Sequence, residues 1–415
     1  MNKYCINILL FTNLLNDGFS AFLGPQSDQN PVGDEASVRA MKEGATSFLH
    51  EFAELREYTG KHYTRYVGNC PPSIIELESG DKIPFGKKKK FITEGSGSHV
   101  YVVDNYIIKF IYAYPRWVVE TLAEDHAFMK IYNGENGIPK VHELGNTVPP
   151  ACAVRLLISD KAGSWQIAHL AKVNLPHLWQ KQVYLFEAGA QALETLKAVH
   201  SRGLIHGDIH YQNFVCDINP EREEIKVRLI DFGRAEPFVN PGDGTHVTEE
   251  KKEYLSYLAW HLSPWELEGW RKTRRDDLFR LAETLLRSGR YDTLFDKKER
   301  RFRNRGWKLW QDADAKYIRK ALQYKKNRPF SNEVPQILID FYQATLNLGF
   351  AETINYDEWI NRFRTESQDV KKNKTPKVRT VFEPPIESKG LLESVTAGLS
   401  NFGKSIKSVL SGLFG

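Results

Sequence analysis

Three polar residues at fixed intervals constrain this chain more than any bulk property does. In HSRGLIHGDIHYQNFVCD, His200 to Asp217, Asp208 and Asn213 stand five residues apart. In VRLIDFGRAEPF, Val227 to Phe238, Asp231 opens the tripeptide Asp231-Phe232-Gly233. Both segments set polar groups at the ends of apolar strand patterns, where a side chain is held rigidly yet stays accessible. Far upstream, Lys109 interrupts a strand pattern made by Ile107, Ile108, Phe110 and Ile111. A buried ammonium requires an anionic partner. Glu120 and Glu124, at the start of the helical pattern ETLAEDHAFMKIY, are the candidates; an ordinary snorkelling lysine is the alternative reading.

Ahead of Lys109, FITEGSGSHVYVVDNYIIKF reads as two strands about a Gly/Ser turn, with a third strand after the tight Asp104-Asn105 turn. Small residues in the first turn let backbone N–H groups approach a phosphate closely. Many hairpins carry Gly and Ser, so this turn gains weight only beside the other motifs.

The spacings of Asp208, Asn213 and Asp231 resemble those of the protein-kinase catalytic loop and metal motif. The resemblance implies that Asp208 accepts a hydroxyl proton, that Asn213 and Asp231 hold Mg²⁺, and that Lys109 orients ATP. FITEGSGSHVY resembles the glycine-rich loop, which implies nucleotide contacts from Thr93, Gly95, Ser96, Gly97, Ser98 and Val100, with Glu124 behind Lys109. GENGIPKV, RRDDLFRLAETLL and the segment from Pro335 to Phe363 are similar to the casein kinase one group. His206-Gly207-Asp208-Ile209 resembles its vaccinia-related branch. The likeness covers about two thirds of the chain, Phe85 to Arg364. It implies an α+β, bilobal fold with a small β-rich lobe, a larger helical lobe, and ATP between them. It also implies a serine/threonine protein kinase acting on protein substrates as a monomer.

Departures are informative. Thr93 and Ser98 replace the first and third loop glycines of the family pattern, and Gly95 keeps the second. His210 stands where the family has a lysine; it can donate to a γ-phosphate but carries a full charge only below about pH 6.5. Gly207 replaces the arginine that meets a phosphorylated activation segment, which argues against control through Thr245 or Thr248. Asp277 is implied to be the buried acceptor of catalytic-loop backbone bonds, and Glu266 an anchor to a later arginine. Two other readings remain. HGDIHYQN also resembles small-molecule phosphotransferases, and the altered loop suits a catalytically weak pseudokinase scaffold.

Residues 1–24 read as a weak signal peptide or an uncleaved apolar leader, so both secreted and cytoplasmic locations stay open. Residues 25–84 form an extension with a helix near 37–58, and 85–364 the kinase-like domain. Residues 365–389, rich in Lys, Thr, Pro and Glu, read as a linker. In 390–415 ten large apolar residues fall within an arc of about 140°, an amphipathic helix suited to a membrane surface or to docking on protein. A net charge of +5, from 57 basic and 52 acidic residues, does not imply nucleic acid. Four dispersed cysteines give neither a disulfide scaffold nor a zinc site. Arg271, Lys272, Arg274 and Arg275 form a candidate site for an acidic or phosphorylated substrate. The basic runs at 87–90 and 297–308 read as solvated surface.

Overall fold

The computed structural model describes residues 74–377, apart from 78, 85–89, 95–98, 112–124, 133, 143, 149–154, 162, 164, 168–169, 171–174, 176, 241, 252–261 and 292–309. The leader, the helix expected near 37–58, the 390–415 segment, the basic run at 297–308, residues 87–89 of the other and Gly95 to Ser98 therefore lie outside the described residues. All described residues belong to one compact unit, 41–415.

Alternating apolar residues form a small-lobe sheet of β3 (Lys90–Glu94), β4 (His99–Val103), β5 (Tyr106–Ile111), β6 (Val141–His142) and β8 (Arg155–Asp160). Its order is β3-β4-β5-β8-β6, and every pairing is antiparallel. The register pairs Thr93 with Val100 and Val100 with Lys109. Directly opposed residues share a sheet face, so Val100 and Lys109, both expected at the nucleotide, stand side by side. Asp104, at φ +50°, makes the tight turn expected before Tyr106.

Two boundaries differ from the sequence reading. Strands β1 (Ile74–Leu77) and β2 (Lys82–Ile83) precede residue 85 and pair in one sheet with β7 (Leu144–Val148), because Ile75, Leu77 and Ile83 bury their side chains. The last helix, Tyr356–Asn373, runs past 364 because Phe363, Ser367 and Val370 continue its buried stripe at spacings of four and three. Polar composition from 365 onward hid that stripe.

The large lobe is built on helices α1 (Leu178–Ser201), α2 (Pro264–Leu267), α3 (Arg274–Ser288), α4 (Trp310–Lys326), α5 (Gln336–Leu346) and α6 (Tyr356–Asn373). Phe186, Leu193, Leu196, Phe279, Leu285, Phe341, Tyr342 and Phe363 fill their common core. Against α1 lies the hairpin β11 (Phe214–Asn219) and β12 (Glu224–Leu229), joined at one edge by β9 (Trp165–Gln166). Strand β10 (Leu204–Ile205) pairs with β13 (Glu236–Pro237). The polar segment 206–213 thus runs from β10 into β11, and Asp231 follows β12. Cys216 is a fully buried thiol whose pKa burial pushes up to about 12, as its apolar surroundings predict.

Candidate active site

Lys109 leaves β5 and reaches across both lobes. Its Nζ donates to Asp125 Oδ2 at 2.8 Å and to Asp231 Oδ1 at 3.2 Å. Burial opposes its charge, but the two carboxylates outweigh that and hold its pKa above the ordinary lysine value. Asp231, held at φ +70°, is kept ionised first by Lys109 and lies below the usual carboxylate range.

Among the described residues the anionic partners of Lys109 are Asp125 and Asp231; Glu120 and Glu124 lie outside them. Asp125 is the first described residue of a helical segment that runs to 132, and it is buried. Phe128, Met129 and Tyr132, three, four and seven residues on, are buried with it on one helix face. A carboxylate on that apolar face was the signal available in the sequence. Its second oxygen accepts the Phe232 N–H at 2.9 Å, so one side chain ties the strand lysine to the Asp231-Phe232-Gly233 loop. Phe232 is fully buried, stacked on Phe128 at 4.1 Å and edge-on to His206 at 4.8 Å. Asp125→Ala is expected to lower stability by about 1–3 kcal/mol, since it strands a buried N–H and half of an ion pair. Denaturant titration measures this, and an unchanged midpoint contradicts it.

Asn213 Nδ2 donates to the Asp208 carbonyl at 2.9 Å, and the Asn213 carbonyl accepts the Ile230 N–H at 2.9 Å. The two polar loops are thereby stitched side by side. Around the Asp208 carboxylate lie His210 Nε2 at 3.7 Å, Arg234 Nε at 3.8 Å and Arg280 Nη1 at 3.8 Å. Burial works against ionisation of Asp208, yet these groups prevail and hold its carboxyl well below the usual range.

Asp277, on α3, supports the loop from beneath. Its carboxylate accepts the N–H groups of His206 at 2.7 Å and Gly207 at 3.0 Å, and pairs with His200 Nε2 at 3.0 Å. Gly207 sits at φ +72°, and a Cβ there would lie 2.3 Å from the Arg234 carbonyl oxygen. Glycine at this position is a steric requirement of the loop as well as the absence of an arginine. Glu266 anchors to Arg280 through a hydrogen bond of 3.1 Å and an ion-pair contact of 3.0 Å, so the later arginine implied by the resemblance is Arg280.

The four cations expected to meet an acidic substrate make contacts within the chain. Arg271 pairs with Glu250 at 3.0 Å and Arg275 with Glu249 at 3.7 Å. Arg274 donates to the Ala351 carbonyl at 2.6 Å and Lys272 to the Gly207 carbonyl at 3.0 Å.

No protein-family model matches the chain. It is 27% identical over 248 residues to casein kinase 1-like protein HD16 of Oryza sativa subsp. japonica, covering 56% of this chain and 30% of that protein. It is 27% identical over 198 residues to a probable casein kinase I homolog of Encephalitozoon cuniculi, covering 45% of this chain and 57% of the relative. Casein kinase I homolog 2 of Saccharomyces cerevisiae is 26% identical over 270 residues, 63% of this chain and 46% of the relative. The matches thus span 30–57% of the length of these curated relatives. The structure of vaccinia related kinase 3 is similar with a TM-score of 0.53 at 17% identity, covering 76% of this chain and 96% of that one. Fold and site together define a bilobal protein-kinase-like protein. Within that class, its sequence is similar to casein kinase 1 homologues at 26–27% identity.

Proposed function

We propose that the chain is a serine/threonine protein kinase that transfers the γ-phosphate of ATP to protein hydroxyls. One observation carries the reading. Lys109 of the small lobe meets Asp231 at 3.2 Å, beside a loop that presents Asp208 and Asn213. Lys109 would bind ATP phosphates, with Thr93, Gly95, Ser96, Gly97, Ser98 and Val100 around the nucleotide.

The donor set fits Mg²⁺, which favours hard oxygen ligands and takes few of them from protein. Asp231 offers a carboxylate. Asn213 uses its amide nitrogen on the Asp208 carbonyl, which turns its oxygen to the ligand role. Bound Mg²⁺ would neutralise charge on the phosphates. Asp208 takes the hydroxyl proton as the hydroxyl oxygen bonds to the γ-phosphorus; the bond to the bridging oxygen breaks, and its electron pair leaves with ADP. Purified protein with Mg²⁺ and labelled ATP is expected to label itself or an added protein, and the absence of any label overturns the reading.

The amphipathic pattern of 390–415 supports peripheral membrane association. Among the described residues no helix is long and apolar enough to cross a membrane. Deleting 390–415 is expected to release the protein from sedimented vesicles, whereas unchanged co-sedimentation removes the membrane role.

A further inference from the structure

We propose that Arg234 is a further catalytic residue, whose guanidinium meets the non-bridging oxygens of the γ-phosphoryl group during transfer. The proposal rests on the kinase reading above. It starts from a gap in the sequence, the histidine at 210 where the family pattern has a permanent cation.

Four basic groups surround Asp208 and Gly207, and their contacts separate them. Arg280 is 3% exposed; it holds Glu266 at 3.0 and 3.1 Å and donates to the Gly207 carbonyl at 3.1 Å. Lys272 donates to the same carbonyl at 3.0 Å. His210 Nδ1 accepts the Gln212 N–H at 3.2 Å, which puts the proton of the neutral ring on Nε2, 3.7 Å from Asp208. Arg234 differs from all three. Its side chain is 59% exposed, and its Nε lies 3.8 Å from Asp208 Oδ2, close enough for attraction but too far for a hydrogen bond.

The backbone fixes where this side chain starts. Gly207, lacking a Cβ, lets the Arg234 carbonyl pack against the catalytic loop; an added Cβ would stand 2.3 Å from that oxygen. Arg234 also follows the Asp231-Phe232-Gly233 loop, which Asp125 pins through the Phe232 N–H at 2.9 Å. A permanently charged, planar donor thus starts from a backbone held on two sides beside the expected proton acceptor. Guanidinium pairs with phosphate oxygens through two parallel hydrogen bonds and keeps its charge at every working pH.

In the transfer, Arg234 changes no bond. The oxygen–phosphorus bond forms, the bond to the bridging oxygen breaks, its electron pair leaves on ADP and the hydroxyl proton passes to Asp208. Arg234 turns its N–H groups, unbonded to Asp208 at 3.8 Å, toward the γ-oxygens.

A cation for the γ-phosphate distinguishes ATP from ADP, and binding alone reads this. Calorimetry on the full chain with Mg²⁺ would compare ADP with a non-hydrolysable β,γ-imido analogue of ATP. Arg234→Ala is expected to weaken the analogue about tenfold and leave ADP within about twofold. Arg234→Lys should fall between, and His210→Lys added to Arg234→Ala should restore preference for the triphosphate. Equal weakening of both nucleotides, or an unchanged preference, overturns the proposal. Label transfer by Arg234→Ala is expected to fall about 10²-fold. The kinase reading is judged separately, by transfer in the unaltered chain and in Asp208→Asn, so either idea can fail alone.

Discussion

Asp208→Asn is expected to reduce transfer of the γ-phosphate by about 10²–10⁴-fold while ATP binding changes little. The amide has the size of the carboxylate but cannot take the hydroxyl proton. Lys109, Asp231 and Asn213, which would hold the nucleotide and its ion, do not depend on the Asp208 side chain: Asn213 bonds its backbone carbonyl. Binding and transfer should therefore separate. Three basic neighbours of Asp208 add a pH expectation. Burial opposes its charge, but His210, Arg234 and Arg280 hold its pKa below the ordinary range. Asp208 is then ionised at every pH near neutrality, and an acid limb of the rate profile there must come from another group. Labelled ATP measures transfer and calorimetry measures binding. Equal labelling by Asp208→Asn and the unaltered chain would remove Asp208 from the chemistry.

How much of this site was legible depends on whether a residue's role is local. Asp208, Asn213 and Asp231 were readable because each lies close to the end of an apolar strand, Asn213 just before β11 and the two aspartates after β10 and β12, and the β11–β12 hairpin between Asn213 and Asp231 is short. Lys109 was readable because a lone ammonium within a run of apolar strand residues has to be met by an anion. Asp125 was not singled out, because the reading stopped at Glu120 and Glu124 at the start of the same helical pattern. Helical spacing places Asp125 on the face of Phe128, Met129 and Tyr132, and that face looks into the core where Lys109 ends. Gly207 was read from what it lacks, while its positive φ and the Arg234 carbonyl against it emerge only when β10 and β13 are paired. The basic cluster from Arg271 to Arg275 could not be judged from composition, since Glu249 and Glu250 meet it only through tertiary folding.

The largest loss of stability is expected from Asp277→Ala, about 3–5 kcal/mol, the range for removing one partner of a buried charged network. Three donors converge on this carboxylate: the N–H groups of His206 and Gly207 and Nε2 of His200. His200 is itself buried, and burial lowers its pKa despite the Asp277 contact, so its ring is neutral near pH 7. Its second nitrogen lies 2.5 Å from the Tyr356 hydroxyl, which makes Tyr356 the donor there and Nε2 the donor to Asp277. Alanine strands all of these groups where water cannot replace the carboxylate. Because His206 and Gly207 lead directly into Asp208, the catalytic loop should lose its shape along with the stability. Asp277→Asn separates the two effects: it keeps the volume, yet a single amide oxygen cannot serve three donors, so transfer should drop more than the melting temperature. The sign of the pH dependence follows from the direction of the shift. Burial raises the Asp277 pKa, but its hydrogen bonds outweigh burial and bring it below the unfolded value of about 3.9. Its contribution is therefore complete above that value and is lost as pH falls through the folded one. Stability of Asp277→Ala relative to the unaltered chain should accordingly be worst near neutrality, with the gap closing in acid. Denaturant midpoints measured from pH 7 down to about pH 3 test this, and a gap that widened in acid would show that Asp277 is not the ionised acceptor on which the loop rests.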